Sequence, residues 1–240
     1  MEIFAAVRSV NFTQDVYRNI VSLRESADLF DDLSGDPQDS LLAQRVELSI
    51  KPEIYATHAP LIGRPFEEAL FRDVIDYPFD HLQPSRFSSG RLGVWYGALT
   101  LETTIHETAF HWYRFLWNSG FEKERVTVER RVHKVFCDSH LLDFRALVRQ
   151  WPALVADDYG FCHQIGDEMQ RKQLPGLLTQ SARHPEGESL AAFVPGILSN
   201  PRDYCYLTYL LVGDIIRVER RPGRAYLKLS CSGWQTGQVP

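Results

Sequence analysis

The chain has no apolar run approaching the ~20 residues that a membrane-spanning helix needs. It has no glycine-rich phosphate loop of the Rossmann or Walker type, so the common backbone cradles for nucleotide phosphates are missing. No GxSxG elbow surrounds Ser181, which removes the usual setting for a hydrolase nucleophile. Positive charge is not in excess: 26 Lys and Arg against 31 Asp and Glu leave −5, which argues against a nucleic-acid partner. A local basic pocket for a small anion is compatible with that balance. The four cysteines, Cys137, Cys162, Cys205 and Cys231, are widely spread with no CxxC or Cys/His ligand spacing. Two disulfides are formally allowed. The opening MEIFAAVRSV carries an arginine where an export signal needs a longer apolar run, so reduced thiols and a cytoplasmic location are the expectation. There is no internal repeat and no membrane segment.

What is present, over 240 residues, suffices for a sizeable core. The order of elements reads helices first, then mixed strands and helices, then mostly strands, which predicts α+β rather than a doubly wound sheet. Residues 1–55 read as a helical N-terminal extension. Thr13 caps one segment ending near Leu23, and Asp36-Pro37 starts a second with Leu41, Leu42, Val46 and Ile50 on one stripe. Residues 56–240 read as one compact unit. A proline- and aromatic-rich connection, 52–85, holds one short helix around Glu67–Val74. Leu92–Gly97 is a buried strand, and Thr100 caps a helix with Leu101, Ile105, Ala109, Trp112 and Leu116 at helical spacing. Val126–Phe136 and Leu141–Phe144 read as two strands, Tyr159–Lys172 as a helix. Short strands follow at Gly176–Thr179, Leu190–Val194, Cys205–Val212, Ile215–Arg220 and Ala225–Ser230, the last two around a hairpin turn at Arg221–Arg224.

The stretch Arg86–Glu107, RFSSGRLGVWYGALTLETTIHE, organises the rest. It spaces an arginine, a tyrosine and a carboxylate ten and eleven residues apart. Glu107 lies opposite the apolar stripe of its helix with Thr103, His111 and Arg114. By position alone it is a solvated glutamate. Phe110, Phe115 and Trp117 make the later turns apolar nearly all round, so the helix is covered and the carboxylate faces a cleft. Arg86 precedes an SSG loop and is either a surface arginine or a two-bond clamp on a phosphate or carboxylate. Tyr96 is either a core tyrosine or a cleft residue. Ser181 and Arg183, in TQSARHPEG after a strand, offer a hydroxyl and a guanidinium to a ligand, or form a plain polar loop. His106, Glu107 and His111 invite a zinc reading, but the histidines are five apart, about 140° in projection, and no metal is expected.

The blocks SRFSSG…GVWYGA…ETTIHETAFH, 85–111, and GLLTQSARHPEG, 176–187, resemble the RES-domain family, named for an arginine, a glutamate and a serine. The resemblance covers about residues 60–195. It implies a fold related to ADP-ribosyltransferases, a split β-sheet around an NAD cleft, and NAD⁺ degradation by hydrolysis or phosphorolysis. It also implies a toxin held silent by an antitoxin protein. By motif, Arg86, Tyr96, Glu107 and Ser181 match the family's functional positions. Two departures stand out. Where members carry an upstream arginine in a PFRY-like motif, this chain has Pro78-Phe79-Asp80-His81, and Arg64 or Arg72 is the candidate replacement. Where some members place a serine earlier, Gly160 stands.

On that reading NAD⁺ is a substrate and no cofactor is required. Glu107 stabilises an oxocarbenium-like ribose, as a carboxylate does in glycoside cleavage. Arg86, with Arg183 or Arg64, neutralises the pyrophosphate, Tyr96 stacks on a ring, and Ser181 fixes the nicotinamide amide or a phosphate. Transfer of ADP-ribose to a macromolecule and a non-catalytic nucleotide sensor are the rivals. The oligomeric state, including a homo-oligomer, is left open.

Overall fold

The computed structural model describes residues 1–21 and 66–234. The stripe at 36–50 and Arg64 lie outside the described residues, as does the side chain of Arg72. A short helix α1 (Ile3–Ala6) leads into a long strand β1 (Arg8–Val21). Helix α2 (Phe66–Asp80), the small ribbon β2 (Pro84–Ser85) and β3 (Ser88–Ser89), β4 (Trp95–Ala98) and helix α3 (Leu101–Ser119) follow. Then come β5 (Val126–Asp143), helix α4 (Gly160–Arg171), β6 (Gly176–Gln180), β7 (Glu188–Ala192), β8 (Leu198–Val212), β9 (Ile215–Arg221) and β10 (Arg224–Ser230). The fold is α+β, as the element order implies.

The main sheet runs β1-β4-β7-β6-β5-β8-β9-β10, and β1 also pairs with β5, so the first five strands close into a ring. Closure is uneven. β1 and β5 pair over their whole shared length, Arg8 with Asp143 through Val21 with Arg130. β1 and β4 share a single pair, Tyr17 with Ala98. The ring is therefore stitched along one seam and barely joined along the other, and the cavity described below opens at that weak seam.

The helix expected from Thr13 to Leu23 is not there; its described residues belong to β1. The helical reading of the N-terminal extension is therefore corrected for residues 8–21. Phe12, Val16 and Ile20 explain the error. Steps of four fit a helical stripe, but they are also even, so in a strand all three share one face. The chain takes the second option because β5 supplies a complete partner and the ring interior buries Phe12 and Val16. The strands expected at 126–136 and 141–144 are one continuous β5, whose polar Asp138 lies at the exposed middle and accepts from Thr13 Oγ1 at 3.0 Å. The helix expected at 67–74 extends to Asp80 and contains Pro78.

Helix α3 begins as its sequence dictates. The Thr100 side chain accepts from the Thr103 backbone N–H at 3.1 Å, and Gly120 ends the helix with φ 78°, a left-handed cap that glycine adopts without Cβ strain. Its stripe packs on β8, β9 and Trp234. Helix α2 docks on the ring where Trp95 Nε1 donates to the Val74 carbonyl at 2.8 Å. Helix α4 packs Cys162, Ile165 and Met169 against Phe87, Leu92 and Leu177. Gly166 is obligatory there: a Cβ would lie 1.8 Å from the Phe87 carbonyl oxygen. All four cysteines are free, as expected. No helix among the described residues is long and apolar enough to cross a membrane.

Candidate functional site

A cavity of about 240 Å³ opens at the β1–β4 seam, walled by Arg18, Arg86, Tyr96, Thr104, Glu107 and Thr108, with His111, Ala182 and the ends of β6 and β7. Each wall residue arrives for a local reason. Arg18 sits on the ring face of β1, two residues beyond Val16. Arg86 stands between β2 and β3. Tyr96 is inside β4. Glu107 lies one turn below Thr103 and Thr104 on the polar face of α3.

Glu107 is held tightly. Its Oε1 accepts from Ser181 Oγ at 2.5 Å and from the Ala182 backbone N–H at 3.1 Å. Both donors land on the same oxygen, so Oε2 has no protein donor among the described residues. Ser181 is itself fixed, 3% exposed, with its Oγ accepting from the backbone N–H groups of Arg183 (3.2 Å) and His184 (3.0 Å). The loop after β6 thus curls around the serine hydroxyl, whose proton points at the carboxylate. The expected ligand contact of Ser181 is, in this structure, a contact with the acid.

Arg86 donates to the Ala156 carbonyl at 2.7 Å and the Leu154 carbonyl at 3.2 Å, and its guanidinium lies 4.7 Å from the Tyr159 ring centroid. Neutral acceptors fix its direction, and it has no ion pair among the described residues. The Tyr96 hydroxyl accepts from the Phe87 N–H at 2.9 Å and lies 2.9 Å from Ser85 Oγ, so it ties β4 to the segment carrying Arg86. Burial pushes its pKa up to about 12, and it stays a neutral phenol. Arg183 turns away. Its guanidinium is 4% exposed, pairs with Asp157 and lies 3.6 Å from the Phe110 ring centroid. It props the loop from behind and is not part of the cavity wall.

Sequence reasoning missed Arg18. Its Nη1 donates to the Tyr96 carbonyl at 2.7 Å, bridging the weak seam, and its buried Nε has no hydrogen-bond partner among the described residues. Burial, followed by the charge of Arg130, lowers its pKa to about 10. Arg130 is 7% exposed and is held by neutral groups, its Nε donating to Asn19 Oδ1 at 2.8 Å and its Nη2 to the Asn19 carbonyl at 3.2 Å. Arg18 and Arg86 thus share the cavity wall with the carboxylate of Glu107, and Arg130 lies behind Asn19, close enough for its charge to act on Arg18. Desolvated cations without acids cost folding free energy, and an anionic ligand offsets that cost. The signal in the sequence was an arginine in phase with Phe12 and Val16, visible only once the segment is a strand.

An α+β fold with a ring parted at one seam sets a fixed carboxylate and two arginines in one cavity wall. The RES-domain model covers residues 64–211, more than half of the 240 residues, and the chain belongs to the RES-domain family. The family is ADP-ribosyltransferase-like in fold, NAD-related and associated with toxin–antitoxin pairs. No curated protein matches the chain.

Proposed function

We propose that this cavity binds NAD⁺ and breaks the nicotinamide–ribose bond, the chain acting as the toxin of a bacterial toxin–antitoxin pair. The observation that carries the reading is the state of Glu107: one oxygen taken by Ser181 and Ala182, the other without a donor among the described residues, in a wall shared with Arg18 and Arg86. The cavity is smaller than a drug-sized ligand commonly fills, so it takes the reacting end of the dinucleotide with the diphosphate at its arginine-lined mouth.

Nicotinamide leaves with the electron pair of the C–N bond and positive charge builds on the ribose carbon and ring oxygen. Glu107 stabilises that charge more in the transition state than in the ground state, because the charge exists only there. The Ser181 and Ala182 donors keep the carboxylate aimed. Its open oxygen accepts from a ribose hydroxyl. Water then adds to give ADP-ribose and a proton, or phosphate adds to give the phosphorylated sugar. Arg18 and Arg86 neutralise the diphosphate. An antitoxin that covers the cavity mouth is the partner this activity requires in a cytoplasmic host.

The test is purified protein with labelled NAD⁺, with and without phosphate, products read by mass. Free nicotinamide with ADP-ribose or its phosphate is expected. Label retained on macromolecules would establish transfer instead, and NAD⁺ recovered bound and intact would leave a sensor.

A further inference from the structure

Helix α3 and the β6–β7 loop bring a second chemical group together outside the cavity wall. Glu102 and His106 are one turn apart on α3, and His184 reaches them from the loop. The two imidazoles stack face to face, centroids 4.4 Å apart and planes 8° from parallel. One ligand atom from each of the three side chains lies within 4.8 Å of the other two.

We propose that Glu102, His106 and His184 bind a divalent transition-metal ion, zinc foremost, which fastens the β6–β7 loop to α3. The hydrogen bonds of the rings support this. The Arg183 backbone is a hydrogen-bonding neighbour of the His106 ring, and a ring N–H given to it leaves the other nitrogen with the lone pair. His184 Nδ1 is 3.0 Å from Thr103 Oγ1, and that hydroxyl has Thr100 Oγ1 as its own neighbour at 2.8 Å. With the Thr103 proton given to Thr100, Nδ1–H donates to Thr103 and His184 Nε2 carries the lone pair. An oxygen on one ring nitrogen that sets the tautomer and orients the other is the outer shell of a metal-ligating imidazole.

The loop is also placed with little slack. A Cβ at Gly187 would lie 2.2 Å from Thr103 Oγ1 and 2.6 Å from His184 Nδ1, so glycine alone permits this approach to α3. Two imidazoles and a carboxylate suit zinc with a fourth position left to water. Tetrahedral zinc holds its donors roughly 3.3 Å apart. Binding therefore draws the three side chains inward and turns one ring out of the stack, with the exposed Glu102 moving furthest. The site differs from the His106–His111 pairing that helical spacing excludes, because its second histidine comes from 78 residues downstream.

The consequence for the cavity is indirect. The His184 backbone N–H donates to Ser181 Oγ, and Ser181 donates to Glu107. A metal on the His184 ring fixes the turn that supplies both of Glu107's donors. It touches no reacting atom and acts by position.

The experiment is calorimetric titration of zinc into tag-free, chelator-stripped protein, with cobalt absorption as a second readout. One ion per chain with a Kd on the order of micromolar is expected, with cobalt bands of four-coordinate type. His106→Ala and His184→Ala each weaken binding at least about tenfold. Glu102→Gln, at an exposed position that cannot unfold the chain, weakens it as well, and His140→Ala, a surface histidine on β5, does not. Absence of saturable binding below about 100 μM, about 5.5 kcal/mol of affinity, overturns the proposal. So does a doubly substituted His106→Ala/His184→Ala protein that binds like the parent. None of these readouts depends on NAD⁺ turnover.

Discussion

The N-terminal and C-terminal halves of α3 lie in opposite surroundings. In the first, Thr104 and Thr108 meet Asn19, whose amide donates to both hydroxyls (3.3 and 3.2 Å) and to the Tyr209 hydroxyl (3.0 Å), while Glu107 takes bonds from Ser181 and Ala182. In the second, Phe110, Tyr113 and Leu116 pack on Leu211, Ile216, Val218 and Trp234. Tyr209 belongs to both, its ring in the apolar cluster and its hydroxyl 2.9 Å from Thr108. Apolar burial stabilises without regard to direction, whereas a buried polar group has to be paired in a fixed geometry or it costs about 1–3 kcal/mol. The apolar turns hold the helix in place, and the polar turns hold one carboxylate in one orientation. A single helix divides the two tasks because its apolar end can carry the stability that its polar end gives up.

Substitutions should separate the ends. The largest effect is expected at the apolar end. Leu211→Ala removes a fully buried side chain and should cost about 2–5 kcal/mol of unfolding free energy. Turnover of the protein that remains folded should be unchanged. Denaturant unfolding followed by turnover per folded molecule checks both halves of the statement. A loss of turnover per folded molecule would mean that the two ends are mechanically coupled.

At the polar end the expectation reverses. Glu107→Gln keeps the shape and can still accept from Ser181 and Ala182, but loses the charge. NAD⁺ turnover should fall on the order of 10²-fold or more, equivalent to about 3 kcal/mol of barrier, with the melting temperature hardly moved. Near-parental turnover would remove Glu107 from the chemistry. Arg18→Lys is a smaller test of the same end. The ammonium keeps the charge but loses the planar fork, so KM for NAD⁺ should rise about tenfold with a lesser change in kcat. A fall in kcat alone would place Arg18 at the reacting bond and not at the phosphates.

The same division explains what could be read from the sequence. Helix α3, its Thr100 cap and its Gly120 stop were legible because local chemistry decides them. The Arg86, Tyr96, Glu107 spacing was legible because strand, turn and helix follow each other directly. β1 was not, because residues four apart satisfy both periodicities and only β5, more than a hundred residues later, settles the choice. Arg18 was lost with β1: its partner is the Tyr96 carbonyl, 78 residues away. The fate of Arg183 was hidden for the same reason, since Asp157 claims it from a separate loop. Ser181 was singled out from its motif, but its hydrogen bond to Glu107 was not legible, because nothing local shows that its proton is directed at a carboxylate from α3.

The smallest effect in neutral buffer, and one confined to the sheet away from both ends of α3, belongs to His133 on β5. Its side chain is 2% exposed, and burial lowers its pKa from the ordinary 6.5 to about 4, with Arg131 and Arg18 acting in the same direction and Asp203 opposing them. In the unfolded chain this histidine takes up a proton near pH 6.5, and in the folded chain only near pH 4. Between those values the unfolded state binds more protons, so the contribution of His133 is intact above pH 6.5, declines as pH falls toward 4 and levels off below it. Unfolding curves collected across that window should show stability falling with acid in the parent and a shallower fall in His133→Phe, the two converging near neutrality apart from a constant offset. Equal slopes in parent and variant would assign the acid sensitivity elsewhere, to the Asp203–Arg131 pair beside it. That pair acts in the same sense but at lower pH, because the first cause of its depressed carboxylate pKa is the Arg131 hydrogen bond.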